Sequence, residues 1–468
     1  MNAVRNNGSG KVPQIPKLKA FMDSRRMTGN PVGVMDEYRR LLGNTFSFHF
    51  GGIKKALVTC DPAYIQHILK DNYENYPKSE IEMKRMVHFL GKGLLTSHGK
   101  YWFTQRRLIQ QGFHKSRLAR MMEGMHRIMD DSLAQIDHSR ETINIHDLMN
   151  KITFRMAMQS LFNTRLTDDE LNFISNTITE VQGFMVKQIV QPYLNPWFRL
   201  NGDLHKYETM RYRSDKIIFE HIIKRREEGR QYDDLLQILM DARYSDTGEG
   251  MSDVQILAET IQLMVAGHET TSTALSWTFY LLSKHPEVLE KIREEIVREI
   301  GEAPIQFSDL PRFVYLTQVI DEVLRLYPPF WMVDRVALND DSIAGMEIPK
   351  GTTVIIFIYG AHHSPEYWED PEAFNPDRFN GELRKKQNPY IHIPFGVGPK
   401  GCIGGNYATM QLMLILTTML RKFDFRLATE KNVDIQSMLI LRPRGGIQMD
   451  FQKRGMAMEH LKIQGMTA

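Results

Sequence analysis

The longest apolar stretch of the chain runs from Ile256 to Leu282 and is interrupted by Glu259, His268 and Glu269. It is long enough to cross a bilayer, but charged side chains at that depth would be costly. The stretch therefore predicts a long buried helix of a folded domain. The first ten residues contain no apolar core, so they predict neither a signal peptide nor a membrane anchor.

The rest of the chain is predominantly helical by periodicity. Apolar residues recur every three or four positions in the segments 116–136, 144–163, 167–187, 203–229, 252–284, 286–300, 313–327 and 403–422. Short β-rich segments lie near 46–50, 55–59, 344–356 and 438–451. Residues 357–401 show little periodicity, and irregular segments of that length usually carry function. The predicted fold class is mainly α, a helix-rich α+β domain with small sheets and one long irregular segment.

No linker, repeat or low-complexity block interrupts residues 30–450. We therefore expect one domain over 30–452, an N-terminal extension over 1–29 and a C-terminal tail over 453–468. The formal charge of +3 is too small to indicate binding to nucleic acid. The two cysteines are too few for a disulfide scaffold and favour a reducing, cytoplasmic setting.

Cys402 follows a loop rich in glycine and precedes a helical segment. Such a loop bends tightly and can direct backbone N–H groups toward the sulfur. A helix N-terminus adds positive potential, which favours the thiolate that a soft iron ligand requires. An isolated cysteine would more often be a small buried residue in a turn. Phe395 seven residues before it and Gly404 two residues after it favour the ligand interpretation.

The centre of the long helix reads Met264-Val265-Ala266-Gly267-His268-Glu269-Thr270-Thr271. Glycine in a helix interior costs about 1 kcal/mol relative to alanine, and adjacent threonines are also unfavourable. Gly267 would let a ligand lie against the backbone, and the Thr270 hydroxyl could hydrogen-bond an oxygen molecule. Glu269 would be the proton source. An accidental notch of small residues beside a solvated glutamate explains this segment equally well when it is considered alone.

Glu322 and Arg325 are three residues apart on a predicted helix that ends at Tyr327-Pro328-Pro329. Most such pairs lie on protein surfaces and contribute little to stability. Arg378, further along the chain, could join them in a buried charge cluster that pins the irregular segment.

Trp102 and Arg106 are four residues apart and share one face of a predicted helix. An indole N–H beside a guanidinium would suit a carboxylate or a propionate. For a lone pair of this kind, a buried tryptophan beside an exposed arginine is the more common arrangement.

In this order and spacing, the four elements resemble the cytochrome P450 family. The signature Phe-x-x-Gly-x-x-x-Cys-x-Gly is highly specific and is present as Phe395, Gly398, Cys402 and Gly404. The resemblance covers about residues 30–452. It implies the cytochrome P450 fold, with heme b between the long central helix and the Cys402 loop. It also implies that Cys402 is the proximal ligand, whose thiolate favours O–O cleavage.

The resemblance assigns further roles residue by residue. Ala266, Gly267, Glu269 and Thr270 match the oxygen-activation groove; Glu322, Arg325 and Arg378 match a structural cluster; Trp102 and Arg106 match heme-propionate partners, with His98 and Arg335 as expected additions. One position departs from the family pattern, since Lys400 stands where arginine or histidine is usual. Lysine still offers a cation to a propionate, but without the bidentate fork of arginine.

The implied reaction uses two electrons and O2 to insert one oxygen atom into a substrate, by hydroxylation or oxidative O-demethylation. The chain ends shortly after the heme domain, so we expect electrons from a separate ferredoxin or flavodoxin with its reductase. Lys115, Arg117 and Arg120, with Arg107 nearby, lie where family members dock an acidic partner. A solvated basic helix face explains these residues almost as well.

Two other functions remain open at this stage. A heme-binding sensor or carrier that performs no oxidation would not need the Glu269–Thr270 pair. A peroxide-driven peroxygenase or a heme isomerase commonly lacks this pair. The intact pair therefore disfavours both alternatives, the second less strongly.

The substrate is the least constrained feature. Expected pocket residues are Met264, Val265, Phe330, Trp331, Met332, Val333 and Leu439, together with the stretches 76–90 and 180–192. Phe, Trp and Met at these positions predict a mostly apolar cavity. Such a cavity suits fatty acids, terpenoids, aromatic ethers or a methoxy group on a polar molecule.

Overall fold

The structure, a computed structural model, describes residues 12–50, 54–134, 141–164, 166–244 and 247–454. Its helices are α1 (Lys17–Met22), α2 (Ser24–Gly29), α3 (Pro31–Leu42), α4 (Pro62–Gln66), α5 (Glu80–Leu90), α6 (Gly99–Gln110), α7 (Lys115–Ala134), α8 (Ile145–Phe162), α9 (Asp168–Val190), α10 (Asn195–Leu200), α11 (Asp203–Glu228), α12 (Leu235–Asp241), α13 (Asp253–Lys284), α14 (Pro286–Ile300), α15 (Val314–Leu326), α16 (Ile358–His362), α17 (Gly381–Lys386) and α18 (Gly405–Lys422). Its strands are β1 (Thr45–Phe50), β2 (Lys54–Thr59), β3 (Glu141–Asn144), β4 (Val333–Val336), β5 (Asp341–Ile343), β6 (Met346–Ile348), β7 (Thr353–Ile356), β8 (Phe423–Leu427), β9 (Ile435–Ser437), β10 (Leu441–Pro443) and β11 (Gln448–Lys453).

The helices predicted from periodicity are present, with ends that differ from the prediction by a few residues. They are α7, α8, α9, α11, α13, α14, α15 and α18. The last two residues of the predicted 116–136 helix lie outside the described residues. Short helices such as α3 and α12 were not predicted, because a few apolar positions do not define a clear period.

Helix α13 lies at the centre of the domain and packs mainly on α8. Two of its interior polar residues accept backbone N–H groups, which partly offsets the cost of their burial. The Glu259 carboxylate accepts the N–H of Leu94 at 2.9 Å, and the Gln262 side-chain oxygen accepts the N–H of Leu95 at 2.7 Å. Burial raises the pKa of Glu259 to about 7. Among the described helices, none combines the length and apolarity that crossing a bilayer requires.

The strands form small sheets at the border of the helical body. One sheet has the order β1-β2-β7-β4 and another the order β3-β11-β8, while β5-β6 and β9-β10 are two-stranded. Only β2 and β7 pair in parallel; the other described pairs are antiparallel. The prediction of a strand at Met438-Leu439-Ile440 was wrong, since these residues form the bend between β9 and β10.

Residues 12–29, which the sequence assigned to an N-terminal extension, pack on the domain. The N–H of Ile15 donates to the carbonyl of Ser47 at 2.9 Å, and the N–H of Ser47 donates to the carbonyl of Pro13 at 2.8 Å. Ile15, Ala20 and Met27 are buried in the core around the first sheet. Residues 1–11 and 455–468 lie outside the described residues, including the segment examined for a signal peptide and most of the expected tail.

Candidate active site

The loop before Cys402 folds tightly on itself. The N–H of Cys402 donates to the carbonyl of Phe395 at 2.8 Å, and the N–H of Gly401 donates to the carbonyl of Gly398 at 3.0 Å. Gly398 has a φ of +70°, and a Cβ at this position would lie 2.1 Å from the carbonyl oxygen of Leu69. Glycine alone satisfies both the backbone angle and the close approach. This explains the glycine of the Phe-x-x-Gly signature.

The electrostatic environment of the Cys402 sulfur differs from the expectation. Helix α18 begins three residues later, at Gly405. Burial raises the pKa of the Cys402 thiol, while the backbone N–H of Gly404 and the Arg106 guanidinium lower it in part. The loop N–H thus acts in the expected direction, but burial outweighs it for the free thiol. A bound metal cation would supply further stabilisation, because a coordinating thiol is deprotonated.

Accessible surface inside the domain occurs at both elements expected to enclose the heme. The Cys402 side chain is accessible to solvent, although burial dominates its pKa. On α13, Ala266 and Thr270 lie on one helical face and are partly accessible, whereas most residues of that helix are buried. Accessible surface at both elements fits a cofactor held between them.

Thr270 and Gly267 occupy the centre of α13. The Thr270 hydroxyl donates to the carbonyl of Ala266 at 2.9 Å, one helical turn earlier. A Cβ built on Gly267 would lie 3.8 Å from Leu161 Cδ1 and 3.9 Å from Ala157 Cβ. A Cβ at Gly267 would therefore make only ordinary van der Waals contact with α8, and the residue itself is partly accessible. Its assignment to the oxygen-activation groove stays a prediction.

Glu269 is buried rather than solvated. Its Oε1 accepts a hydrogen bond from Arg442 Nη1 at 3.2 Å, and its Oε2 has no hydrogen-bond partner among the described residues. Arg442 belongs to β10, and its Nη2 also contacts the Met438 sulfur at 2.9 Å. Sequence analysis missed Arg442, because it lies 173 residues from Glu269 and no local motif marks it.

The Glu269–Arg442 pair leads to a prediction about stability. We expect Arg442→Met to lower the free energy of unfolding by roughly 3–5 kcal/mol, because it leaves the buried Glu269 carboxylate without its cation. The measurement is urea unfolding of the heme-loaded protein. The double variant Glu269→Gln/Arg442→Met should regain most of the loss, since it removes both charges. A double variant as unstable as Arg442→Met would show that the pair is not the cause.

The structure brings Glu322, Arg325 and Arg378 together. Arg325 Nε and Nη2 donate to the two oxygens of Glu322 at 2.7 and 2.9 Å, and both side chains are fully buried. Arg378 Nε reaches the same carboxylate at 3.3 Å. Arg325 Nη1 also donates to the carbonyls of His362 and Pro371 at 2.8 and 2.7 Å. The cluster thus ties the irregular segment 357–401 to α15.

Cations gather beside the Cys402 loop. The Lys400 ammonium lies 5.7 Å from the ring centre of the buried Trp102. Burial lowers the pKa of Lys400 to about 8, and the charges of Arg335 and Lys78 act in the same direction. Sequence analysis missed Lys78, which no motif marks. A partly buried group of like charges is stabilised by an anionic ligand, so this arrangement fits a carboxylate-bearing cofactor such as heme.

Two further residues were expected to bind the propionates. Arg106 Nη1 donates to the carbonyl of Gly401 at 2.7 Å, which places its guanidinium at the loop. Burial lowers the pKa of Arg106, and Cys402 opposes this effect. His98 is exposed at the start of α6. Among the described residues, its side chain makes no hydrogen bond with Lys400, Arg335 or Lys78.

The basic face of α7 is partly neutralised. Arg117 and Arg120 both pair with the carboxylate of Asp233, the latter at 2.7 Å. Among the described residues, Lys115 and Arg107 have no ion-pair partner, so two of the four predicted docking cations are engaged within the protein.

The expected pocket residues differ in burial and in what they pack against. Leu439 packs with Phe89 of α5 and Phe184 of α9, so the structure joins three of the regions predicted to bind substrate. Met264 and Trp331 are buried in the cores, where the Trp331 indole N–H donates to the carbonyl of Met438 at 2.8 Å. Their exposed fractions are only 0% and 3%, and their assignment to the pocket lining stays a prediction. The remaining four differ in exposure: Val265 is buried, Met332 and Val333 are partly buried, and Phe330 is exposed.

Comparisons with known proteins agree with this geometry. The family description "Cytochrome P450" matches residues 12–451. The chain is 31% identical to a cyclooctat-9-en-7-ol 5-monooxygenase of Streptomyces melanosporofaciens, over 80% of this chain and 81% of that protein. It is 29% identical to a human ultra-long-chain fatty acid omega-hydroxylase, over 93% of this chain and 87% of that protein.

A solved structure supports the fold. The crystal structure of the cytochrome P450DA heme domain superposes with a TM-score of 0.84 at 23% identity, covering 95% of this chain and 98% of that one. The family match spans nearly the whole described chain and the relatives cover most of its length. The chain therefore belongs to the cytochrome P450 family and is a heme b-dependent monooxygenase.

Proposed function

We propose that this cytoplasmic enzyme inserts one oxygen atom from O2 into an apolar organic substrate, with electrons from a separate ferredoxin or flavodoxin and its reductase. The observation that carries the proposal is the juxtaposition on α13 of a buried acid, Glu269, and a partly accessible alcohol, Thr270. A protein that only binds heme has no use for an acid and an alcohol placed together inside its core.

The residues around the Cys402 loop would hold the cofactor. Bound heme supplies the redox-active iron, and thiolate ligation favours O–O cleavage. Cys402 would provide the thiolate, and the Gly404 N–H and Arg106 would stabilise its charge. Lys400 and Arg335 would neutralise the propionates, which relieves the repulsion between these two cations.

Glu269 and Thr270 would move the proton. The Thr270 hydroxyl is held by a single bond to the Ala266 carbonyl, which it can exchange for another acceptor. Arg442 engages Oε1 of Glu269, so Oε2 is the oxygen that would carry a proton toward the threonine. Proton transfer requires the donor to lie within hydrogen-bond reach, directly or through one water.

The proposed substrate class rests on two relatives and on the partly accessible Leu439, which packs on apolar side chains of α5 and α9. Phe89, Phe184 and Leu439 meet where α5, α9 and the β9–β10 bend come together. The names of two relatives specify cyclooctat-9-en-7-ol and ultra-long-chain fatty acids. We propose a substrate of this kind, oxidised by hydroxylation or by O-demethylation, since both begin with the same hydrogen abstraction.

A Thr270→Ala variant tests the proposal. We expect it to retain heme and substrate binding, because it removes only a methyl and a hydroxyl group. NADH consumption should continue while peroxide replaces most of the product, because the variant lacks the hydroxyl that delivers the proton. The measurement is product formed per NADH consumed, with peroxide assayed in parallel.

The same helix offers a matched control. The Thr278 hydroxyl makes the equivalent bond to the Ala274 carbonyl at 2.8 Å, two turns further along α13. Thr278→Ala should leave the product ratio unchanged. An unchanged ratio in Thr270→Ala would mean that the proton takes another route. Product formation with peroxide but not with NADH, ferredoxin and reductase would instead identify a peroxygenase.

A screen for ligands that shift the Soret band would supply the substrate.

A further inference from the structure

A cavity of about 620 Å³ lies between α11, α13 and the connection from α5 to α6. Helix α13 lines it with four apolar residues at the spacing i, i+3, i+4 and i+7, which places them on one helical face: Val254, Leu257, Ala258 and Ile261. Phe219 of α11 adds a further apolar surface. A cavity of this size, with a mainly apolar lining and a few polar groups, is typical of a site for a small organic molecule.

The cavity and the proposed site of oxygen activation lie on different faces of α13. Thr270 follows Ile261 by nine residues, which is about two and a half helical turns, so the two side chains point in opposite directions. Glu259 shares the face of Thr270, is fully buried and does not line the cavity. Among the described residues that line the cavity, none belongs to the Cys402 loop or to residues 264–271. The cavity is therefore separate from the expected position of the heme.

The wall formed by the connection from α5 to α6 is attached closely to α13. Gly91 has a φ of +74°, and a Cβ at this position would lie 2.8 Å from Ala258 Cβ, so glycine allows the close approach. Gln262 Nε2 donates to the carbonyl of Gly91 at 2.9 Å. The Tyr101 hydroxyl accepts a hydrogen bond from the Gln255 amide, and both of these residues line the cavity. This wall is held in place by the protein itself, which lowers the entropic cost of binding a ligand.

The charged groups at the cavity are mostly positive. Among the described residues that line it, three cations stand beside one acid: Lys92, Arg211, Lys216 and Asp215. Arg211 Nε lies 3.6 Å from the carboxylate of Asp215, so this acid is paired within the protein. The pairing leaves the positive charge of the two lysines in excess.

Both lysines keep their charge available to a ligand. Lys92 is exposed and has no ion-pair partner among the described residues, and its ammonium lies 4.6 Å from the ring centre of Tyr101. Lys216 lies 3.8 Å from the carboxylate of Glu220, and the two side chains are 64% and 65% exposed. Exposed pairs of this kind contribute little, so Glu220 does not prevent Lys216 from meeting another anion. The cavity thus joins an apolar lining to two lysines at the protein surface.

We propose that this cavity is a second binding site of the enzyme, which takes an amphipathic carboxylate such as a fatty acid. The apolar chain would lie along the face of α13 that carries Leu257 and Ile261. The carboxylate would meet Lys92 and Lys216 at the surface, where it remains partly hydrated. A cationic amphiphile is disfavoured, because it would meet the same lysines and an acid that is already paired.

Calorimetric titration of the heme-loaded enzyme with decanoate tests this site. The iron is first saturated with imidazole, whose Soret band reports any displacement by a ligand at the heme. We expect one molecule of decanoate to bind without changing that band, because the cavity lies on the other face of α13. Decyltrimethylammonium, which has the same chain and the opposite charge, should bind at least about tenfold more weakly. The titration requires no turnover, so its result is independent of the oxidation proposed above.

Substitutions locate the site. Lys92→Glu and Lys216→Glu should each weaken decanoate binding about tenfold or more, because each replaces a cation near the carboxylate by an anion. Lys224→Glu, at an exposed lysine of α11 that does not line the cavity, should bind decanoate normally. All three variants change exposed side chains and should keep the heme spectrum. Decanoate that binds only with a change of the Soret band, or not at all, would overturn the proposal. Equal effects of the three substitutions, or tighter binding of the cationic amphiphile, would also overturn it.

Discussion

Replacing Cys402 with serine should abolish the red-shifted absorption band of the reduced carbon monoxide complex. That band, far to the red of a histidine-ligated heme, depends on a thiolate ligand, and serine offers only a hydroxyl. Burial already raises the pKa of the Cys402 thiol, so a bound iron would be the main source of thiolate stabilisation at this position. A serine hydroxyl is far less acidic than a thiol, and we therefore expect loss of the band rather than a shift.

Cys60 is the matched control for this experiment. Its sulfur is buried in the core of the first sheet and lies 3.2 Å from the Asn44 side-chain oxygen. Burial raises the pKa of the Cys60 thiol far above its usual value. Cys60→Ser should therefore leave the band intact, with a modest loss of stability. Loss of the band in Cys60→Ser, with retention in Cys402→Ser, would exchange the roles of the two cysteines.

Replacing Arg325 with alanine should give insoluble or heme-poor protein. The guanidinium makes two hydrogen bonds to Glu322 and further bonds to the carbonyls of His362, Pro371 and Ala373. Its removal leaves the fully buried Glu322 carboxylate without its main cation, which typically costs roughly 3–5 kcal/mol. It also detaches α15 from the segment that leads to the Cys402 loop, so heme binding should fall together with stability.

A milder variant and a control keep this prediction testable. Arg325→Lys retains the charge but cannot form the bidentate hydrogen bonds of a guanidinium. The melting temperature of this variant should therefore lie between those of the wild type and the alanine variant. Lys385 and Glu382 form a pair with the same spacing on the exposed α17, at 2.9 Å. Lys385→Ala should change the free energy of unfolding by less than about 0.5 kcal/mol. Normal heme content and melting temperature in Arg325→Ala would contradict the structural role.

Features with a local cause were predictable from the sequence. In α13 and α18 the apolar residues recur with the period of a helix, because one side of each helix faces the core. This period can be recognised within a short stretch of sequence. The turn before Cys402 depends on Gly398, whose positive φ is a property of the residue itself. The Glu322–Arg325 pair could be predicted because both residues lie on one helix, whereas their complete burial could not be predicted.

Only the tertiary structure decided which distant groups meet. Arg442 reaches Glu269 from a three-residue strand, and Lys78 joins the cations around Lys400. Burial likewise decided that the pKa of the free Cys402 thiol is raised, against the effect of its own loop. The reason is physical: helix period and turn geometry arise within a few residues. Desolvation and charge pairing depend on elements that are far apart in the chain and meet only when the core forms.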